Sequence, residues 1–207
     1  MSDSSFTVLG ISGSLRASSF NSLLVRRAAA LAPEGVEFDL YEDIGAIPHF
    51  SQDLEGESTP AIVLDFRSRI AAADAVFVAT PEYNGAIPGV LKNALDWASR
   101  PAGQSVLADK PALVVGASPG GRGAIRGQAD ARKVLTAIGA DVVERELPIG
   151  RAHELFDGEG AMLDQEAETA LTDHIALLIE TGGEPAPAEP DDLAVYSLEC
   201  QRRTLAS

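Results

Sequence analysis

The stretch Thr7–Asn21, T-V-L-G-I-S-G-S-L-R-A-S-S-F-N, concentrates groups that bind anions. Ser12, Ser14, Ser18 and Ser19 offer hydroxyls, Asn21 an amide and Arg16 a cation. The segment reads as a buried strand, a hydroxyl- and Gly-rich turn, and the start of a helix that continues through Ser22–Ala32. A helix start presents unpaired N–H groups and roughly half a positive charge, which attract an anion. The set suits a terminal phosphate monoester. The same residues also make an ordinary capped βα turn, because Ser and Asn are common caps. No G-x-x-x-x-G-K-[ST] occurs, and Ser14-Leu15-Arg16 follow Gly13 where a G-x-G-x-x-G fingerprint needs further glycines. Hydroxyls in place of glycines favour a terminal phosphate over a pyrophosphate lying along the backbone.

Other elements must position this turn. Val36–Tyr41 alternates apolar and polar residues, as a strand near a sheet edge does, and Glu42–Thr59 is a long acidic loop. A loop of that length is usually functional or mobile. Pro60–Ala73 has Pro at its first turn and apolar residues at helical spacing. Asp74–Thr80 is a second near-continuous apolar strand, ending in P-E-Y-N-G. Pro88–Ser99 is a helix, and Pro111–Ser118 a third buried strand running into P-G-G-R-G-A. A helix through Ile138-Gly139, a last strand over Asp141–Leu147 and a closing helix over Asp164–Glu180 complete the pattern. This alternation predicts a parallel sheet covered by helices on both faces. The strands ending at Ser12, Thr80 and Ser118 are uniformly apolar and should be central. Ligands in such sheets sit at the carboxyl ends of the strands, where strand order reverses. The loops S-G-S-L-R, P-E-Y-N-G and S-P-G-G-R-G should therefore converge on one crevice.

Composition narrows the partners. The 207 residues carry 16 Lys and Arg against 31 Asp and Glu, a formal charge of −15. That balance argues against nucleic acid and anionic membrane surfaces, which need a basic face. Cys200 is the single cysteine, so no intramolecular disulfide or C-x-x-C motif is available. No signal-peptide pattern and no apolar run of membrane-spanning length is read, so the cytoplasm is expected. His49, His153 and His174 lack ligand spacing, and no metal site is expected. From Thr181 the chain turns Pro- and acid-rich, which predicts a domain over 1–180 and a tail over 181–207 that is disordered or docks on a neighbouring subunit.

Three segments together resemble the NADPH-dependent FMN reductase family, which includes chromate and quinone reductases: G-I-S-G-S-L-R-A-S-S-F-N, P-E-Y-N-G-A-I-P-G-V-L-K-N-A-L-D-W and A-S-P-G-G-R-G-A. The resemblance covers roughly Thr7–Glu180. It implies a flavodoxin-like α/β/α sandwich with a five-stranded parallel sheet of order 2-1-3-4-5. It also implies that Ser14, Arg16, Ser19 and Asn21, with Ser12 beside them, hold the FMN phosphate. Pro81, Glu82, Tyr83 and Asn84 would line the isoalloxazine ring, with Tyr83 near the flavin face or a subunit boundary. Ser118 and the backbone of Gly120 and Gly121 would edge the pyrimidine side. Gly123-Ala124 departs from the further Gly-Gly pair found in many members, and a methyl group there could narrow the approach to the ring. No catalytic acid/base residue is expected, because the cofactor performs the chemistry.

The expected activity is ping-pong hydride transfer from NADPH or NADH through bound FMN to quinones, flavins, azo compounds or chromate. The alternative is a flavodoxin-type electron carrier without NAD(P)H turnover. Relatives imply a homodimer or homotetramer, in which Glu82 could touch a partner. Trp97 should pack in the core or at a subunit boundary, and Lys92 with Asp96 should form a solvated pair on one helix. Arg122, Arg126 and Arg132 lie along one helix as surface residues, with Arg122 placed to meet the NADPH phosphate. Cys200 is read as a bystander.

Overall fold

A computed structural model describes residues 5–157 and 160–183. The strands are β1 (Phe6–Ser12), β2 (Val36–Tyr41), β3 (Ala75–Ala79), β4 (Pro111–Ala117), β5 (Asp141–Val142) and β6 (Pro148–Ile149). The helices are α1 (Phe20–Ala30), α2 (Ala61–Ala72), α3 (Gly89–Ala98), α4 (Ile125–Ala137), α5 (Ala152–Leu155) and α6 (Gln165–Gly182). The sheet runs β2-β1-β3-β4-β5, all parallel, with β6 also pairing with β4. This is the doubly wound order of the flavodoxin type, whose strand order reverses between β1 and β3. β1, β3 and β4 are central and buried, and β2 is the half-exposed edge that its alternation implied.

Side chains on a strand point alternately to the two faces, and the core divides accordingly. Leu9, Ile11, Val76, Val78, Ala112 and Val114 face α2, α3 and α4. Val8, Ala75, Phe77, Leu113 and Val115 face α1 and α6. No helix among the described residues is long and apolar enough to cross a membrane.

The expected strand over Asp141–Leu147 is broken. Only Asp141–Val142 and, after a gap, Pro148–Ile149 pair with β4. At the far end of that gap, where Leu147 O also accepts Gly116 N–H, stands the buried amide of Gln128 on α4: its Nε2 donates to Gly123 O at 2.8 Å and Leu147 O at 3.2 Å, and Leu147 N–H donates to its Oε1 at 3.3 Å. A side-chain amide thus takes the Leu147 N–H, while Leu147 O still accepts Gly116 N–H of β4. Most of the expected tail, from residue 184 onward and including Cys200, lies outside the described residues, while α6 runs on to Gly182.

The segment Glu42–Thr59 contains three short 3-10 turns and is pinned by α3. Asn93 Oδ1 accepts Phe50 N–H at 2.8 Å, its Nδ2 donates to Ile47 O and Pro48 O, and Trp97 Nε1 donates to Pro48 O at 2.8 Å. Trp97 is therefore a core residue, 1% exposed. Lys92 and Asp96 form the expected exposed pair at 2.6 Å.

Tyr41 ends β2 in the core, and burial, followed by the carboxylates of Asp65 and Asp43, raises its pKa to about 12. An unfolded chain loses that proton near pH 10. The stability of the buried neutral phenol is therefore complete below about pH 10 and is lost as pH rises through about 12. Tyr41→Phe should flatten the fall in melting temperature between about pH 10 and about pH 12. Parallel melts of the two proteins check this, and equal falls would contradict it.

Candidate functional site

The first turn is shaped by its own side chains. Ser19 is the N-cap of α1, its Oγ accepting Asn21 N–H at 3.2 Å and Ser22 N–H at 3.3 Å. An N-cap hydroxyl used as an acceptor still has its proton to donate. Ser12 Oγ lies 2.9 Å from Ser22 Oγ and accepts Ser14 N–H, while Ser14 Oγ accepts Arg16 N–H. Arg16 folds over the turn, donating to Ser18 O at 3.0 Å and Ser18 Oγ at 3.2 Å. Leu15, Ala17 and Ser18 are exposed, and their N–H groups have no partner among the described residues.

Asn21 sits differently from a free phosphate ligand. It is 3% exposed, and it spans from α1 to the end of β4: Nδ2 donates to Ala117 O at 3.0 Å and Oδ1 accepts Ala117 N–H at 2.9 Å. β3 ends at Ala79, so the asparagine amide supplies the pairing that β3 no longer gives. One Nδ2 proton remains for the cleft.

The second loop is stitched to α4. Glu82 Oε2 accepts Arg126 N–H at 3.0 Å, and Asp130 Oδ2 accepts Ile87 N–H at 3.0 Å. Glu82 thus satisfies a free N–H of the first turn of α4, which has no capping side chain of its own. Asn84 takes a left-handed conformation, φ 55°, in the turn closed by Tyr83 and Ala86, and Tyr83 is half exposed. In the third loop Ser118 Oγ donates to Gly120 O at 3.1 Å, and Gly120 and Gly121 are exposed. Ala124 is buried, so its methyl group does not narrow the cleft.

A fourth segment, which sequence reasoning did not single out, buttresses the third loop. Ser118 N–H donates to Ile149 O, Arg151 N–H to Gly120 O and Ala152 N–H to Ser118 O, each at 3.0 Å. A short apolar pair leading into Gly150 was its only local signal. Gln128 and Asp130 were missed as well, because each looks like an ordinary helix residue. Arg132 is not a surface residue: it is 9% exposed and pairs with Glu146 at 2.5 Å, whereas Arg122 and Arg126 are exposed.

Residues of all three strand-end loops wall one cavity of about 90 Å³. Ser14, Arg16, Ser19 and Asn21 form one end, Pro81, Glu82 and Tyr83 one flank, and Ser118 the other. Ser12, bonded to Ser22, lines a neighbouring cavity instead, and the exposed Asn84, Gly120 and Gly121 do not line this one. The donor set at the Ser14–Ser19 end fits a phosphate monoester: hydroxyls, unpaired N–H groups and one guanidinium, with no carboxylate among them. The exposed glycine backbone and the proline-led loop fit a flat ring, so the residues present suit FMN.

The profile of the family described as NADPH-dependent FMN reductase matches residues 6–154. An NAD(P)H-dependent FMN reductase of Pseudomonas aeruginosa is 42% identical over 172 residues, covering 83% of this chain and 92% of its own. A 2-hydroxy-1,4-benzoquinone reductase of a Burkholderia species is 41% identical, covering 77% of this chain and 86% of its own. Among solved structures, FerB, a flavoenzyme NAD(P)H:(acceptor) oxidoreductase from Paracoccus denitrificans, is 36% identical with a TM-score of 0.76, over 85% of this chain and 96% of its own. With its fold, its three converging loops and a match over most of its length, the chain belongs to the NADPH-dependent FMN reductase family.

Proposed function

We propose that the protein is an NAD(P)H-dependent quinone oxidoreductase working through FMN held in the three-loop cleft. The observation that carries this reading is the cavity walled by residues of all three strand-end loops, with an anion-binding set at one end. When bound, FMN accepts a hydride from NADH or NADPH and passes two electrons to the acceptor. Ser14, Ser19 and Arg16 bind its phosphate, aided by the open N–H groups of Leu15, Ala17 and Ser18. Glu82, fixed to α4, holds the P-E-Y-N loop as the ring-side wall. The N–H groups of Gly120 and Gly121 have no partner among the described residues and can stabilise negative charge at the pyrimidine edge.

Donor and acceptor would reach the flavin in turn, a ping-pong order. Besides quinones, the acceptors in this proposal are free flavins, azo compounds and chromate. The working unit spans residues 1–180, acts in the cytoplasm and assembles as a homodimer or homotetramer, with half-exposed Tyr83 at the subunit boundary.

Titration of the apo-protein with FMN tests the cofactor, and a protein that takes up none overturns the reading. Arg16→Ala removes a charge-assisted contact to phosphate and should weaken FMN about tenfold or more. Arg16 is exposed, so the melting temperature should not change. Steady-state oxidation of NADH and NADPH with a benzoquinone acceptor tests the activity. FMN-loaded protein that oxidises neither nucleotide would instead be an electron carrier.

A further inference from the structure

A second cavity, about 180 Å³, lies on the other flank of the β1–α1 turn. Gly10, Val25, Leu40 and Ile44 line it with apolar surface, and Arg26 and Glu42 stand at its wall. Ser14 and Arg16 line both this cavity and the flavin cleft, so the two adjoin at the phosphate-binding turn. FMN ends in its monophosphate at that turn and leaves the second cavity without a role.

Its walls have the chemistry of an adenosine site. The hydroxyl-rich turn lacks the glycine fingerprint of dinucleotide-binding α/β folds, but Glu42 stands at the end of the second strand, where those folds place the acid that accepts hydrogen bonds from the adenosine ribose. Here Ile11 pairs with Tyr41 in register, so Glu42 follows β2 directly beside the turn that begins at Ser12. The pair of Arg26 and Glu42, 3.4 Å apart, is solvent-exposed on both sides and therefore opens at small cost. Once it opens, Glu42 is free for a ribose diol and Arg26 for a phosphate.

We infer that this cavity accepts the adenosine monophosphate half of FAD, so that the apo-protein takes up FAD as well as FMN. The inference rests on the flavin reading of the adjoining cleft. The pyrophosphate lies over Ser14 and Arg16, where the open N–H groups of Leu15, Ala17 and Ser18 serve a diester as well as a monoester. The ribose hydroxyls donate to Glu42, and the adenine rests on the apolar floor. A nicotinamide dinucleotide is not the occupant while flavin is bound, because its pyrophosphate needs the same turn.

Parallel titrations of the apo-protein with FMN and FAD, followed by calorimetry, test this in the wild type, Glu42→Ala and Leu40→Trp. The wild type should bind both flavins. Glu42→Ala should weaken FAD about tenfold and leave FMN unchanged. Leu40→Trp, which fills the floor, should block FAD while retaining FMN, and its FMN binding reports that it has folded. FAD affinity unchanged in Glu42→Ala overturns the inference, because the adenosine then lies in solvent. A wild type that binds FMN but not FAD overturns it too. A wild type that binds neither overturns the flavin reading itself. Should Leu40→Trp fail to fold, the exposed Glu42 variant decides alone.

Discussion

Asn21→Ala should cost the protein both its flavin and a substantial part of its stability. The alanine leaves the N–H and C=O of Ala117 without partners, and Ala117 is 2% exposed. Each buried orphan costs about 1–3 kcal/mol, so the pair costs roughly 2–6 kcal/mol. For a domain of this size that lowers the melting temperature by roughly 4–24 °C. The end of β4 and the start of α1 would then part, and the cavity between them would lose its geometry. Thermal melts and FMN titrations of Asn21→Ala and Arg16→Ala separate two kinds of contribution. Arg16→Ala should lose flavin with no change in melting temperature, whereas Asn21→Ala should lose both. An unchanged melting temperature for Asn21→Ala would show that the bridge to Ala117 does not hold the fold.

Gly123→Ala should be at least as damaging, for a steric reason. Gly123 has φ +54°, and a Cβ there would lie 2.3 Å from Pro148 C and 2.5 Å from Ile149 N. Those are backbone atoms of β6 and cannot rotate away. The strand must move, which breaks the hydrogen bond from Ser118 N–H to Ile149 O and the bonds of Gln128 to Gly123 and Leu147. A loss of more than about 3 kcal/mol is expected, the size of a severe packing clash. Gly121→Ala supplies the comparison, because a Cβ there meets nothing within 4 Å. It should change stability by no more than about 0.5 kcal/mol. Denaturant melts of both variants check the pair, and equal midpoints would remove β6 as the buttress of the third loop.

The three uniformly apolar strands and the loops that end them were readable because both are local patterns. A strand buried on both faces must be apolar at every position, and hydroxyl- or Gly-rich segments following such strands mark the turns where a ligand can meet backbone N–H groups. The edge position of β2, the solvated pair of Lys92 and Asp96 and the core position of Trp97 follow from the same local logic. The continuous fifth strand did not form, although Asp141–Leu147 has a strand's composition. At its far end Leu147 is held by Gln128, an ordinary helical residue by its neighbours.

What the sequence by itself determined is the α/β alternation, the central strands and the three loops that carry the site. Tertiary structure decided which of the loop residues face the cleft and which hold it together. Asn21 and Ala117 are 96 residues apart, and Glu82 and Arg126 are 44 apart. Their pairing is set by where each strand stops against its neighbour, which leaves backbone donors and acceptors that must be satisfied. No local pattern encodes that register. The Ser12–Asn21 turn therefore reads from sequence as an anion site, but only the fold shows its two flanks, the flavin cleft and the second cavity beside β2.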